Sequence, residues 1–506
     1  MISITAALLL LGLIFLSFFI LTLRRSTKND GNLPPHPPLT PFLGNLPLIA
    51  KMTNKEPMIR NVFRTLSSDL GNIFRLKLGS QWLLVVTGFE YVKEINSHEY
   101  SWNRVKDWET IRFIYFGHND LKNQNKGITL SNSEDILPQF KEQRKYVLKV
   151  LKELGFGKKS AEDLVLIECL KLNEEIRKFA ERDEQTFCPD ELFSMAALNV
   201  VWSIISSETF EYGDERIRKI LHFNEVSMLF GRLITGKPLG AFPWLRYFPP
   251  FRAQFLEACD AWGGMRDFMD ELIKQHQDTL DEEHPRDFID KYLIAAQDNP
   301  ALSVESLLFC CIDIFSGGTD TTSKSMLYAV ALMINHPDIQ DKVKSELRTI
   351  DKDVVSMDDK EVLPYTEATL NEIFRFSSVA PIPPPRQLSA PVQLGPYKIP
   401  ANTIFVTSTY SVHFDQEHWG DPEVFRPERF IVDGKFKANE RILPFGVGKR
   451  RCIGESLARV QNFLFFANLM KKFRFSAVDD DLPDLTPVPG FFIGPPTYKA
   501  KIKCES

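Results

Sequence analysis

The chain has 506 residues, of which 44% are hydrophobic, 25% charged and 12% aromatic, a composition typical of a globular protein with a large core. A formal net charge of −5 argues against nucleic-acid binding. The seven scattered cysteines form no CxxC pair, which argues against a zinc ribbon or a disulfide framework and favours a reducing compartment.

The first 23 residues contain no charged side chain, and Arg24 and Arg25 follow at once. An apolar helix of about 20 residues spans the hydrocarbon core of a bilayer. The positive flank predicts that the rest of the chain lies in the cytosol. A cleaved signal peptide is the alternative, and it is less favoured because the charge comes after the apolar run and no A-x-A site follows.

A proline-rich stretch follows at residues 33–47, with five prolines between positions 34 and 41. Prolines fix φ and remove backbone donors, so this stretch is expected to be extended and stiff. We therefore predict a transmembrane anchor at residues 1–23, a basic and proline-rich linker at 24–47, and one catalytic domain at 48–506.

Beyond the linker, hydrophobic periodicity predicts a mostly helical domain with a smaller β portion. Alternation over residues 73–87 around Gly79-Ser80 predicts a β-hairpin. From residue 381, prolines and β-branched residues predict short strands and turns, and residues 474–502 are predicted as strand and loop. Helices are predicted at residues 138–152, 161–182, 191–210, 251–280, 303–335, 337–349, 366–377 and 454–473.

One cysteine, Cys452, lies in the segment LPFGVGKRRCIGESLARV, between a glycine-rich turn and a predicted helix start. Arg450, Arg451 and the backbone N–H groups at the helix start are expected to lower the pKa of this thiol and favour a metal-binding thiolate. The segment offers one protein ligand, so a cofactor must supply the others. A haem with a proximal cysteine meets this requirement.

The longest apolar helix contains Gly317-Gly318, followed by Asp320 and Thr321. Glycine inside a helix costs about 1 kcal/mol relative to alanine, which indicates that something approaches the backbone closely here. A threonine hydroxyl can bond back to a carbonyl and open the helix locally. A close crossing of two helices is the alternative explanation of the glycines.

Together these segments resemble the motifs of the cytochrome P-450 monooxygenases, in the right order. Residues 445–454 fill every fixed position of the haem-binding signature F-x-x-G-x-R-x-C-x-G. NEIFR resembles the family's E-x-x-R motif, PERF its proline–arginine segment, and GGTDTT its oxygen-binding helix motif. The resemblance covers residues 33–500, and the apolar start with its proline hinge is similar to the animal microsomal branch.

The resemblance implies the family's mainly α fold, with haem b buried between the long oxygen-binding helix and the cysteine loop. Cys452 would be the iron ligand, and Asp320 and Thr321 the catalytic pair. The cofactor-binding residues implied are Arg144, Arg386, Phe445, Arg450 and Gly454. A structural lock is implied for Glu372, Arg375 and Arg429. The substrate pocket implied includes Phe113, Phe230, Phe315, Gly317 and Phe492.

One position departs from the family pattern. Phe140 stands where the family usually has a tryptophan four residues before Arg144, and phenylalanine has no N–H for a haem propionate. The replacement is therefore expected to remove one propionate hydrogen bond, which leaves Arg144, Arg386 and Arg450 as the candidate partners.

The function implied is insertion of one oxygen atom from O₂ into a lipophilic substrate such as a steroid, isoprenoid, fatty acid or xenobiotic. Electrons would come from NADPH through NADPH-cytochrome P450 reductase, with cytochrome b5 as an additional partner. The implied location is the endoplasmic reticulum membrane, which is recovered in the microsomal fraction. Two alternatives stay open, a haem carrier without turnover and a non-oxygenating isomerase. Two cationic sets would form a docking patch if they adjoin: Lys141, Arg144, Lys145, Lys149 and Lys152, and Lys449, Arg451, Lys471 and Lys472.

Overall fold

A computed structural model describes residues 33–55, 58–105, 114–115, 126–129, 137–155, 159–216, 220–222 and 238–505. The predicted anchor at residues 1–23, the basic start of the linker, and the predicted pocket residues Phe113 and Phe230 lie outside these ranges. Within the described ranges, no helix is both long enough and apolar enough to cross a membrane.

Helices make up most of the described chain, and every helix predicted above is present to within a few residues. They are α1 (Leu46–Lys55), α2 (Ile59–Leu70), α3 (Phe89–Ser97), α4 (Leu137–Glu153), α5 (Lys159–Ala180), α6 (Pro189–Ser206), α7 (Pro238–Ala241), α8 (Phe251–Asp278), α9 (Phe288–Asp298), α10 (Val304–Asn335), α11 (Pro337–Leu347), α12 (Pro364–Ser377), α13 (Thr409–His413), α14 (Gln416–Trp419) and α15 (Glu455–Lys472).

The β portion consists of short strands that form four separate sheets among the described residues. The predicted hairpin is present: β1 (Ile73–Leu78) pairs with β2 (Gln81–Val86) in antiparallel register, and Gly79 in the turn has φ +61°. These strands extend into a five-stranded sheet of order β1-β2-β8-β5-β3. The remaining strands are β3 (Asn103–Arg104), β4 (Thr186–Phe187), β5 (Arg386–Gln387), β6 (Val392–Leu394), β7 (Tyr397–Ile399), β8 (Ile404–Thr407), β9 (Ile431–Val432), β10 (Lys435–Phe436), β11 (Phe473–Ser476) and β12 (Ala500–Cys504).

Helix α10 runs through the largest hydrophobic core, and its 32 residues are mostly buried. The Ser303 hydroxyl accepts from the Ser306 N–H and caps the helix start. The helix ends before Pro337, which cannot continue the hydrogen-bond ladder. It packs against α6, α12 and α15. Residues on one of its faces and residues of the loop that precedes α15 line the same cavity.

Candidate active site

A cavity lies between α10, the loop of residues 443–454 and the strands that follow α12. It encloses about 1700 Å³ of space free of protein atoms, part of it open to solvent, which is ample for a macrocycle together with a small organic molecule. Its apolar lining includes Ile314, Val379, Ala380, Pro383, Pro384, Leu443, Phe445, Leu457 and Phe492, and its polar lining includes Arg104, Arg144, Asp313, Thr321, Arg386, Arg450, Cys452 and Gln461.

The loop before α15 carries Cys452 to this cavity. Gly448 has φ +77°, and a Cβ there would collide with the backbone of Asn96, so only glycine fits. Gly446 has φ +70°, and a Cβ there would meet no protein atom within 4 Å. The Cys452 N–H donates to the Phe445 carbonyl at 2.9 Å, closing the turn. The loop thus leaves clearance for a flat group beside the cysteine.

The electrostatics around Cys452 differ from the sequence prediction. Burial raises the pKa of the Cys452 thiol, although its surface opens to the cavity. A hydrogen bond from the Gly454 backbone and the charges of Arg144 and Arg451 lower this pKa, but desolvation outweighs them. The expected low pKa is therefore wrong for the protein alone. Conversion to the thiolate requires the charge of a bound iron, because a metal deprotonates its thiol ligand outright.

Five arginines line the same cavity, and Arg451 among them pairs with Glu455. The other four are Arg104, Arg144, Arg386 and Arg450. Burial lowers the pKa of all four, that of Arg104 to about 10, and repulsion from neighbouring arginines adds to the effect at Arg104, Arg386 and Arg450. Among the described lining residues the one carboxyl group is that of Asp313, whose own pKa is raised by burial. A bound group with several negative charges would compensate the charges of these arginines, and haem with its two propionates is such a group.

Backbone carbonyls orient these arginines. Arg104 donates to the carbonyls of Thr129 at 2.8 Å and Pro384 at 2.7 Å. Arg450 donates to the carbonyls of Trp102 at 2.9 Å and Ile128 at 3.0 Å. These neutral carbonyls hold the side chains in place but add no negative charge to the cavity. The thiol, the glycine clearance and the arginine cluster together fit haem b.

Arg144 and Arg386 complete the cluster in different ways. Arg144 donates to the Arg451 carbonyl at 2.6 Å, which joins α4 to the cysteine loop. Arg386 makes only long contacts, of 3.4 and 3.5 Å, with the carbonyls of Asn96 and Ser101. The predicted arginines are thus all at the cavity, and Arg104 is an addition that the sequence did not reveal.

Phe140, which replaces the usual tryptophan, is buried beneath this cluster. Its ring centroid lies 4.1 Å from the Arg450 guanidinium carbon, within the range of a cation–π contact. The indole of Trp102 meets Phe140 edge-on with 6.4 Å between ring centroids. Phe140 therefore supports Arg450 from one side and fills the space beside Trp102.

The two glycines of α10 serve different neighbours. A Cβ on Gly317 would meet no protein atom within 4 Å, and this residue lines the cavity. A Cβ on Gly318 would come within 2.5 Å of Cγ2 of Val201 on α6. Gly318 therefore fits a close helix crossing, while Gly317 leaves open space at the cavity wall.

Thr321 and Asp320 follow the glycines on different sides of the helix. Thr321 lines the cavity, and its hydroxyl donates to the Gly317 carbonyl at 2.6 Å, the back-bond expected from the sequence. Asp320 is not among the cavity-lining residues and forms an ion pair with Lys324. The helix keeps α geometry through this region, so the expected local opening is not present.

The remaining pocket predictions have mixed outcomes. Gly317 and Phe492 line the cavity, whereas Phe315 does not: it is fully buried, with its ring centroid 6.0 Å from that of Trp202 on α6. Residues 314, 317, 318 and 321 follow the helical i, i+3, i+4, i+7 spacing along one face. Position 315 is rotated about 100° away from position 314, which turns its side chain into the core.

The predicted lock residues are in contact and buried. Arg375 donates two hydrogen bonds to the Glu372 carboxylate, both at 2.8 Å, and Arg429 donates a third at 3.2 Å. Arg375 also donates to the His413 carbonyl at 2.8 Å. Burial, followed by repulsion from Arg375, lowers the pKa of the His413 imidazole to about 3, so the ring is neutral. Sequence patterns gave no reason to select His413.

The comparisons with known proteins agree with this geometry. A family model described as cytochrome P450 matches residues 34–502. This chain belongs to the cytochrome P450 family. Among similar cytochromes P450, it is 32% identical to cytochrome P450 2J5 of Mus musculus over 95% of this chain and 93% of that protein. It is 32% identical to cytochrome P450 2C3 of Oryctolagus cuniculus over 97% and 98% of the two chains. It is 30% identical to farnesoate epoxidase of Bombyx mori over 97% and 98%.

This cytochrome P450 is a haem-thiolate monooxygenase with the mainly α fold of its family. Its haem b has a cysteine thiolate as axial ligand, and its activity requires a redox partner and a lipophilic substrate. The carrier and isomerase alternatives are therefore set aside.

Proposed function

We propose that Cys452 is the axial ligand of a haem whose propionates are bound by Arg104, Arg144, Arg386 and Arg450. The observation that carries this assignment is the convergence on a single cavity of one thiol and four arginines, of which Arg104 and Arg386 are buried and the other two are partly buried. Gly454 and Phe445 would flank the ligand, and Glu372, Arg375 and Arg429 would hold the surrounding fold. Bound haem would supply the oxygen-activating iron.

The experiment that tests the ligand is Cys452→Ser, with Cys504→Ser as the matched control because Cys504 is an exposed thiol on β12. Cys452→Ser is expected to abolish the thiolate-type absorption of the reduced carbon monoxide complex, and Cys504→Ser to retain it. A Cys452→Ser protein that retains this absorption would reject the assignment.

In this proposal, Asp320 and Thr321 supply protons to the cavity. Thr321 supports the role by position, since its hydroxyl lies at the cavity wall and is one hydrogen bond from Gly317. Asp320 is adjacent in sequence, and its side chain is 15% exposed, so solvent can replace a proton that it gives up. Proton donation by a positioned side chain typically contributes about 10²–10⁴-fold to a rate.

The proposed substrate is a steroid, isoprenoid, fatty acid or xenobiotic. The wall formed by Ile314, Val379, Ala380, Pro383 and Phe492 supports a lipophilic molecule without distinguishing these classes. The similarity to a farnesoate epoxidase places isoprenoid acids among the first compounds to test. Changes in the haem absorption spectrum across a panel of small lipophiles would identify the compounds that bind.

The proposed location is the endoplasmic reticulum membrane, with an anchor at residues 1–23, a linker at 24–47 and a cytosolic catalytic domain at 48–506. Exposed apolar side chains near the linker support a membrane-facing surface: Phe42, Leu43, Trp244, Tyr247 and Phe248 are 41–63% exposed. The Gly79 N–H donates to the carbonyl of Leu43 in the linker, and Gly79 also lies against the Phe242 ring. The linker and residues 242–248 are therefore close together. Deletion of residues 1–23 is expected to weaken sedimentation with microsomes, and unchanged sedimentation would reject the anchor.

NADPH-cytochrome P450 reductase, with cytochrome b5 as an additional donor, is the proposed source of electrons. The hydrogen bond between Arg144 and the Arg451 carbonyl supports a docking patch, because it makes the two cationic sets adjoin. Lys471 and Lys472 contribute less, since Lys471 donates to two carbonyls and Lys472 pairs with Asp353. Reductase-supported turnover is expected to fall as salt rises, and to fall further when Lys145 and Lys149 are replaced by Gln.

A further inference from the structure

The carboxylate of Asp320 is held by a lysine one turn further along α10. Lys324 Nζ forms an ion pair with Asp320 Oδ2, and the two side chains are 22% and 15% exposed. At the same time the neighbouring Thr321 hydroxyl faces the cavity. Asp320 and Thr321 are therefore neighbours in sequence, but their side chains have different partners. The Asp320 carboxylate pairs with Lys324, and the Thr321 hydroxyl donates to the Gly317 carbonyl.

The aliphatic stem of Lys324 is held in turn by the segment that follows β11. A Cβ built on Gly494 would lie 3.1 Å from Lys324 Cγ and 3.4 Å from its Cδ and Cε, so the stem lies close against the backbone of this residue. The same segment forms cavity wall: Phe492 lines the cavity, and the Ile493 N–H donates to the carbonyl of Val379, which also lines it. The ion pair thus has fixed positions for both of its members.

We propose that Lys324 is a positioning residue, which retains the Asp320 carboxylate on the outer side of α10 and limits how often Asp320 passes a proton to the cavity. This inference rests on the proposed function, in which Asp320 and Thr321 supply protons. In each transfer, one proton leaves the Asp320 carboxyl for Thr321, the Thr321 hydroxyl gives one proton to the cavity, and solvent returns one proton to Asp320. Lys324 slows the cycle because its ammonium group holds the Asp320 carboxylate in the ion pair, away from the cavity wall.

The alternative role for the pair is simple helix stabilisation. Lysine and aspartate four residues apart on a helix stabilise it slightly wherever they occur. The chain offers a direct comparison, since Lys274 and Asp270 form the same i, i+4 pair at 2.8 Å on α8, where both side chains are at least half exposed. If the pair only stabilises the helix, removal of Lys324 or of Lys274 should change the thermal stability and nothing else. If Lys324 positions Asp320, removal of Lys324 should also change the supply of protons, and removal of Lys274 should not.

The test compares five variants of the haem-loaded, reductase-coupled protein: Lys324→Met, Lys324→Arg, Asp320→Asn, the double variant Asp320→Asn/Lys324→Met and the control Lys274→Met. Methionine keeps an unbranched stem against Gly494 and removes the charge. The measurements are NADPH oxidation and product formation with excess reductase, the solvent deuterium isotope effect on turnover, and thermal midpoints of the single and double Asp320 and Lys324 variants.

Lys324→Met is expected to raise turnover by about two- to fivefold, the range for release of a largely screened ion pair, with KM for the trial substrate unchanged. The solvent isotope effect is expected to decrease. Lys324→Arg and the control Lys274→Met should both show the turnover and the solvent isotope effect of the wild type. The thermal midpoints should be non-additive, which would establish contact between the two side chains independently of turnover.

Two results would overturn the inference, and they are distinguishable. If Asp320→Asn lowers product formation but Lys324→Met leaves turnover and isotope effect at wild-type values, the proton role of Asp320 stands and the positioning role of Lys324 is wrong. If Asp320→Asn changes neither measurement, the proposed proton role fails and the inference fails with it.

Discussion

The backbone N–H of Leu443 donates to Nε2 of His413 at 2.8 Å. Because Nε2 accepts, Nδ1 carries the proton and donates to the Ser378 hydroxyl at 2.7 Å. The His413 carbonyl meanwhile accepts from Arg375. One neutral imidazole thus joins the buried Glu372–Arg375 pair to the first residue of the loop that carries Cys452.

This arrangement predicts a loss of stability on acidification. The pKa of His413 is about 3 in the folded protein, against about 6.5 in the unfolded chain. Between these values the unfolded chain binds a proton that the folded protein does not. The free energy of unfolding therefore falls as pH is lowered through this window, by at most about 1.4 kcal/mol per pH unit from this residue. Denaturant midpoints at about pH 7 and pH 5.5 measure the loss.

His413→Gln is expected to be less stable at neutral pH and to lose less stability on acidification than the wild type, because glutamine does not titrate. His284→Gln is the matched control, since His284 has an 80% exposed side chain. Equal pH dependence of the wild type and His413→Gln would contradict the assignment of a neutral, buried His413.

Arg104 is predicted to retain the cofactor. Arg104→Gln removes one cation from the cluster, and loss of a charge-assisted hydrogen bond of about 1.5–3 kcal/mol would speed haem release by about 10- to 100-fold. Transfer of haem to an excess of an acceptor apoprotein measures this rate without catalysis. Arg182→Gln is the control, because Arg182 is exposed and stacks on Phe179 away from the cavity. Equal release rates for the two variants would exclude Arg104 from the propionate site.

Thr321→Val is predicted to uncouple electron use from product formation. Valine keeps the shape of threonine but deletes the hydroxyl that faces the cavity, so NADPH oxidation should continue with more hydrogen peroxide and less product. Haem and substrate binding should persist. Ser325→Ala removes another cavity-lining hydroxyl one turn further along and should have a smaller effect. If Thr321→Val forms as much product per NADPH as the wild type, Thr321 serves packing alone.

The adjacent glycines should respond in opposite ways to alanine. Gly318→Ala brings a methyl group against Val201 and is expected to cost about 1–3 kcal/mol of stability, with partial recovery in the Val201→Ala background. Gly317→Ala should gain up to about 1 kcal/mol from helix propensity while its methyl group narrows the cavity and alters the product pattern. Thermal midpoints and product ratios separate the two cases. Similar destabilisation by both substitutions would contradict the division of roles.

Local sequence patterns were sufficient to predict an element where the residues that determine its structure lie within one segment of the chain. The hairpin around Gly79 and the long helix ending before Pro337 follow from alternation, helical period and proline chemistry. Cys452 stood out because its glycines and cations are contiguous in sequence. Phe315 lies in the core because its position is rotated away from the helix face of residues 314, 317, 318 and 321, and the structure is needed to show that this face lines the cavity.

Residues whose role depends on distant neighbours could not be found in this way. Arg104 is a single arginine in a two-residue strand, and it reaches the cavity only because β3 pairs with β5. His413 ends a short helix and acquires its importance from Arg375 and Leu443, which lie 38 and 30 residues away in sequence. The rise in the pKa of Cys452 likewise depends on burial by the whole fold, which nearby cations do not reveal.

The arginine cluster also bears on how this protein is made. A ribosome delivers a chain whose interior must bring four guanidinium groups together, and until haem binds, Asp313 is the one carboxyl group among the described lining residues that can offset their repulsion. The final steps of maturation should therefore wait for the cofactor. In a cell starved of haem, newly made chains should accumulate in a loosened form that proteases degrade. The yield of intact protein should accordingly follow the supply of haem precursors more closely than the level of its messenger RNA.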